Sequence, residues 1–205
     1  ANGKIFLSYT NQVSEDCWNT SVIYSKFNFD ELEFKKLFSP DENVCRYNNQ
    51  DNEFHGHQSG GRIVDFDNEN IFLTIGDYRS RYLAQKKDSV FGKIVKINLT
   101  NGKYSIISKG HRNPQGLFYD KKNKILLETE HGPQGGDEIN VIELNTQTVP
   151  NYGWPISSYG EHYGGKSKTN EKKYKKYPLM KSHIDNGFIE PIKYFTPSIA
   201  ISEIT

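Results

Sequence analysis

The chain has 205 residues, 26 of them basic and 25 acidic, for a formal net charge of +1. That balance supplies no field to attract nucleic acid or an anionic membrane. No apolar run approaches the roughly 18 residues needed to cross a bilayer, so no membrane insertion is expected.

Aromatic residues make up 13%, with 13 Tyr and 12 Phe beside 17 Gly. This suits an all-β chain with many tight turns. The start, ANGKIFLSYT, reads as a strand, not as a basic segment followed by an apolar one, so it carries no signal-peptide pattern. Strands are expected at 4–9, 21–27, 62–66, 71–75, 93–97, 104–107, 116–119, 125–129 and 139–144, all rich in β-branched or aromatic residues. Turn pairs Asp67-Asn68, Asn101-Gly102 and Lys122-Asn123 separate them. DELEFKKLF at 30–38 reads either as a helix or as a strand with a charged face. Cys17 and Cys45 form one disulfide in an oxidising compartment or remain two thiols; without a CxxC, a thiolate zinc site is not expected.

Residues 62–77 and 116–132 both read strand, turn, strand, polar loop, at an offset of about 54 residues, near the period of a four-stranded propeller blade. In this alignment Asp77 falls opposite His131, so both belong on one rim of successive blades. Six blades need roughly 250–300 residues at that period. The chain is therefore read as one partial β-propeller domain, residues 1–205, of about four blades within a longer protein. The stretch 165–178, GKSKTNEKKYKKYP, reads as a solvated basic loop, with a docking patch as the alternative.

Four polar segments carry chemistry. GHRNPQG at 110–116 packs His111, Arg112, Asn113 and Gln115 around a proline, a set of donors and acceptors suited to a flat anionic ligand. The alternative is a turn that caps its own backbone. EHGPQGGDEIN at 130–140 turns sharply on its glycines and bares carbonyls beside Asp137 and Glu138. Carbonyls with carboxylates are what calcium takes, and an acidic turn is the alternative. His57, ahead of the strand at 62–66, followed some twenty residues on by Asp77, has the form of a base and its orienting carboxylate, with His55 as the other candidate base. NYGWP at 151–155 is a rigid aromatic corner in which Trp154 is read as core.

HQSGGR, TIGD, the Ala84-Gln85 pair, GKIVKI, GHRNPQG, EHGPQGGDEIN, NYGWP and PSIA, in this order, resemble the soluble aldose sugar dehydrogenases, also called glucose/sorbosone dehydrogenases. The resemblance is strong over about 50–205 and loose before that. It implies a six-bladed propeller with pyrroloquinoline quinone over the central channel and an aldose oxidised at its anomeric carbon to the lactone. It further implies His57 as general base, Asp77 as its orienting partner, and Arg112, Asn113 and Gln115 lining the quinone. The Gly132 and Pro133 carbonyls would hold a calcium that touches the cofactor; Glu138 and the Tyr152 region would hold a second one. A sugar substrate, an external electron acceptor and a periplasmic or secreted location follow from the same resemblance. A non-catalytic binding propeller and a calcium-dependent lactonase are the competing readings.

Overall fold

The computed structural model describes residues 3–53 and 56–205. The first sheet is built from β1 (Lys4–Ser14), β2 (Cys17–Lys26) and β3 (Lys35–Phe38), with the two-residue β4 (Val44–Cys45) on the far half of β2. The second is a four-strand meander of β5 (Gly60–Asp65), β6 (Asn70–Ile75), β7 (Lys93–Asn98) and β8 (Tyr104–Lys109), with the single turn α1 (Tyr82–Gln85) between β6 and β7. The third is β9 (Pro114–Asp120), β10 (Ile125–Glu130), β11 (Asp137–Glu143) and, after a long connection containing α2 (Glu171–Lys176), β12 (Lys193–Phe195). All strand pairs are antiparallel.

The first strands of successive sheets lie side by side. Ser8 Oγ donates to the Gly61 carbonyl, and Arg62 Nε to the Gln115 carbonyl at 3.0 Å. Thr74 Oγ1 donates to the Pro114 carbonyl at 2.9 Å. This is how propeller blades set their inner strands around a channel.

The middle sheet explains why its strands read as continuous apolar runs. Side chains alternate faces along a strand. Ile71, Leu73 and Ile75 of β6 therefore join Val22, Phe38, Val95 and Ile97 in the core against the first sheet. Phe72 points the other way, joining Ile94, Leu117, Leu126 and Ile142 in the core against the third. A strand buried on both faces has no polar side to show. Each such side chain contributes about 1.5–3 kcal/mol on burial.

All nine expected strands form, most of them longer than the apolar pattern alone indicated. Within 30–38 only Lys35–Phe38 pairs, as a strand. The estimate of about four blades is corrected to three four-stranded sheets among the described residues. The long connection between β11 and β12 contains short helices and forms no further sheet among the described residues. The solvated-loop reading of 165–178 is corrected in the same place, since this stretch contains a 3-10 turn and α2. The docking-patch alternative is not needed to account for it: Lys173 and Lys176 of α2 pair with carboxylates of the chain itself. No helix among the described residues is long and apolar enough to cross a membrane.

Cys17 and Cys45 are disulfide-bonded, which settles the open alternative and fastens β4 to β2 across 28 residues of chain. Closing a loop of that length restricts the unfolded ensemble by roughly 3 kcal/mol. Replacing both cysteines with serine is expected to lower the denaturation free energy by about that amount, and a loss under about 1 kcal/mol would contradict the assignment.

Candidate functional site

The turns after β6 and β10 occupy equivalent places in successive sheets. Asp77 N–H donates to the Arg112 carbonyl at 2.9 Å, and His131 N–H to the Asn113 carbonyl at 3.1 Å, so one loop before β9 stitches both turns together. Asp77 and His131 thus meet the same loop at neighbouring residues. Gly76 makes room for a third segment: a Cβ there would sit 1.9 Å from the Gln58 carbonyl. The strand end therefore accepts the backbone of 58–59, through Gly76 N–H to Ser59 at 3.0 Å and Tyr78 N–H to Gln58 at 3.1 Å.

These three segments line one open cleft of about 410 Å³ that holds His57, Arg112, Asn113, Gly132 and Pro133 together. Gln58, Arg79, His131, Asp137, Tyr163 and Ser198 complete it. Gln115 stands behind the lining, its amide donating to Asn113 Oδ1 at 2.8 Å. His57 lies exposed at the cleft. The alternative base His55 falls outside the described residues.

Asp77 is fully buried beneath the cleft. Its carboxylate accepts from the Trp154 indole at 2.7 Å, the Arg79 amide at 2.8 Å and the Gln58 side-chain nitrogen at 2.7 Å. The Gln58 side-chain oxygen accepts from Arg112 Nη2 at 2.8 Å, while Arg112 Nη1 donates to the His131 carbonyl at 2.8 Å. Trp154 also faces the guanidinium, 5.5 Å away. Gln58 thus links Asp77 to Arg112, a bridge that the sequence alone does not reveal. Burial lowers the Arg112 pKa, and Asp77 opposes the shift.

Behind Arg112 lies a buried polar cluster. Ser108 Oγ and His111 Nε2 are 2.8 Å apart, and His111 Nδ1 is 3.3 Å from Glu130 Oε1. Glu130 also accepts from the Arg112 amide at 2.6 Å. Asn140 bridges Glu128 at 3.0 Å and Glu130 at 3.3 Å. Burial, with Glu130 beside it, holds the Glu128 carboxyl well above the usual range. This cluster sets the turn that aims Arg112 at the cleft.

The cleft fits a polyanionic planar ligand with a calcium ion. Gly132 and Pro133 line it, and no hydrogen bond from the described residues ends on their carbonyls. The buried Nε atoms of Arg79 and His131 have no partner there either. Asp137, a possible calcium ligand by sequence, instead spends its oxygens on the Gly132, Ile199 and Ala200 amides and the Ser198 hydroxyl, at 2.7–3.1 Å, and fixes the loop that presents those carbonyls.

A histidine lies between the two residues expected to hold the second calcium. His183 spans the two proposed ligands, with Nδ1 2.9 Å from the Tyr152 carbonyl and Nε2 3.3 Å from Glu138 Oε1. Burial alone would lower the His183 pKa, but Glu138 and the Tyr152 carbonyl raise it. Glu138 itself is pushed up to about 7 by burial, with Glu130 adding to the effect and His183 opposing it. Nothing in NYGWP or EHGPQGGDEIN marks a histidine some thirty residues downstream as their partner.

Desolvation pushes the Asp77 carboxyl up to about 6 from 3.8, against Arg112, Arg81 and its hydrogen bonds. A folded state that holds a proton more tightly than the unfolded chain is favoured at low pH. This contribution is present below the unfolded value and lost as pH rises to about 6. Relative to Asp77→Asn, the wild type is expected to lose on the order of 3 kcal/mol of stability across that window. A flat difference between the two denaturation curves from pH 4 to 6 would contradict it.

The family model described as Glucose / Sorbosone dehydrogenase matches residues 1–205. The chain is 30% identical over 216 residues to the aldose sugar dehydrogenase YliI of Escherichia coli strain K12, covering 97% of this chain and 52% of the relative. It is 35% identical over 139 residues to quinoprotein glucose dehydrogenase B of Acinetobacter calcoaceticus, covering 53% of this chain and 28% of the relative. The apo crystal structure of the soluble E. coli aldose sugar dehydrogenase superposes with a TM-score of 0.75 at 28% identity, covering 98% of this chain and 56% of that one. The PQQ-bound aldose sugar dehydrogenase of Streptomyces coelicolor, at 20% identity and a TM-score of 0.63, speaks for the fold alone. The chain spans about half the length of the E. coli relative. Because the family match runs from the first residue to the last, the three sheets and their shared cleft belong to a member of the glucose/sorbosone dehydrogenase family.

Proposed function

We propose that the protein containing this chain oxidises an aldose at its anomeric carbon to the lactone, with pyrroloquinoline quinone as hydride acceptor and calcium beside it. The observation that carries this reading is the convergence of His57, Arg112, Asn113, Gly132 and Pro133 on one cleft. Its volume lies within the range of small-molecule sites. When bound, the quinone supplies the electron-accepting carbonyl and calcium polarises it.

The chain's own residues do the rest. His57, exposed to incoming substrate, takes the proton from the anomeric hydroxyl. Arg112, held by Gln58 and the His131 carbonyl, meets the negative charge of a reduced, multiply carboxylated ligand. Its immobilisation before ligand arrives avoids an ordering cost at binding. Asn113 is held between the Gly60 amide and Gln115, so its orientation is set in advance. An external acceptor completes turnover. The Cys17–Cys45 disulfide supports an oxidising compartment, and thus a periplasmic or secreted location.

The full-length protein, loaded with quinone and calcium, is expected to reduce a dye acceptor when given an aldose. His57→Ala should lower kcat by roughly 10²–10⁴-fold while quinone still binds. Chelation should abolish turnover, and calcium should restore it. Folded, quinone-loaded protein without turnover would overturn the reading, as would His57→Ala with wild-type kcat.

A further inference from the structure

The connection between β11 and β12 reaches the far side of the cleft. Its helix α2 lies against the segment that carries His57. Lys173 Nζ pairs with Glu53 Oε1, and Lys176 Nζ lies 2.8 Å from Asp51 Oδ1. Tyr177 Oη donates to the same Asp51 oxygen at 2.7 Å. From the third side, Arg81 reaches Glu53 Oε2 at 2.6 Å, and its backbone amide donates to Asp51 Oδ2 at 2.9 Å.

Two carboxylates on one stretch of chain thus take bonds from three cationic side chains on two others, α2 and the turn after β6, so three stretches meet. Each stretch also forms a wall of the cleft. Asp51 and Glu53 precede His57 and Gln58; Arg81 follows Asp77 and Arg79. Ahead of α2 lies Tyr163, whose carbonyl accepts from Asn170 Nδ2 at 2.9 Å.

The helix is itself anchored. His162 Nε2 lies 2.8 Å from the Tyr177 carbonyl, its amide donates to Tyr174 Oη at 3.2 Å, and Tyr174 Oη donates to Glu161. The network is not a solvated surface pair of negligible worth. The Asp51 side chain is only 4% exposed and that of Arg81 only 9%. Despite burial, bonds from Lys173 and Arg81 hold the Glu53 carboxyl down at about 2.

We propose that Lys173 and Lys176 of α2, with Arg81, form an ionic latch on Asp51 and Glu53 that positions the His57 segment over the cleft. These are positioning residues; none of them touches a reacting atom. That His57 is the base rests on the dehydrogenase reading above; the latch itself rests on the ion pairs alone.

The test uses the full-length protein with quinone and calcium. In Lys173→Ala and in Glu53→Gln, backbone amides of residues 49–53 and 56–58 are expected to exchange hydrogen several-fold faster. Turnover should show kcat/KM down about tenfold, mostly in kcat, because displacement of a catalytic group by about 1 Å is enough for such losses. The acid limb of the kcat/KM profile should move. Lys173→Arg should restore all three, and Lys172→Ala, an exposed lysine of the same helix, should change none. Unchanged exchange in 49–53 and 56–58 for both latch variants would overturn the proposal, as would a lower unfolding midpoint accompanied by wild-type kcat and pH profile. Should the wild type show no turnover, the dehydrogenase reading fails separately, and the exchange rates still decide the latch.

Discussion

The site depends on one buried contact chain: Asp77, Gln58, Arg112. A carboxylate and a guanidinium taken out of water are each costly unless their hydrogen bonds are replaced. Here the Gln58 amide bridges them, the Trp154 indole and Arg79 amide complete Asp77, and the His131 carbonyl completes Arg112. Each partner comes from a different turn. Removing any one leaves a buried polar group unsatisfied, so the turns are held to a common geometry. The cleft is the surface consequence of that constraint.

The sheets make this chain possible. A strand covered on both faces cannot slip register without moving Ile71, Leu73 and Ile75 out of one core and Phe72 out of the other. That rigidity places the ends of β6 and β10 at equivalent points, one beside Arg112 and the other beside Asn113. Gly76 then admits the 58–59 backbone at a distance that no side chain would allow. Fold and site are joined at this glycine.

Much of this was legible in the amino-acid order. Strand positions followed from local alternation and β-branched composition, which act over a few residues. The lining residues Arg112, Asn113, Gly132 and Pro133 sit in short glycine- and proline-rich turns whose composition already suits ligand contact. What was not legible depends on partners far apart in sequence. Gln58 was visible only as part of HQSGGR, and its span between Asp77 and Arg112 needs three loops in place. Glu128 and Glu130 lie two apart on an otherwise apolar strand, a pattern that could have marked a buried carboxylate cluster. His183 shows no local sign of its role beside Glu138. The lysines of α2 read as a solvated run because the acids that hold Lys173 and Lys176 lie more than a hundred residues earlier.

The central claim is that a preset guanidinium, held by Gln58 above Asp77, forms part of a quinone site. Calorimetric titration of the full-length protein with pyrroloquinoline quinone in the presence of calcium tests it most directly. The account predicts one quinone per chain, bound at least about tenfold more weakly by both Arg112→Ala and Gln58→Ala, in line with the loss of a charge-assisted bond. Equal affinity in the wild type and both variants would contradict it.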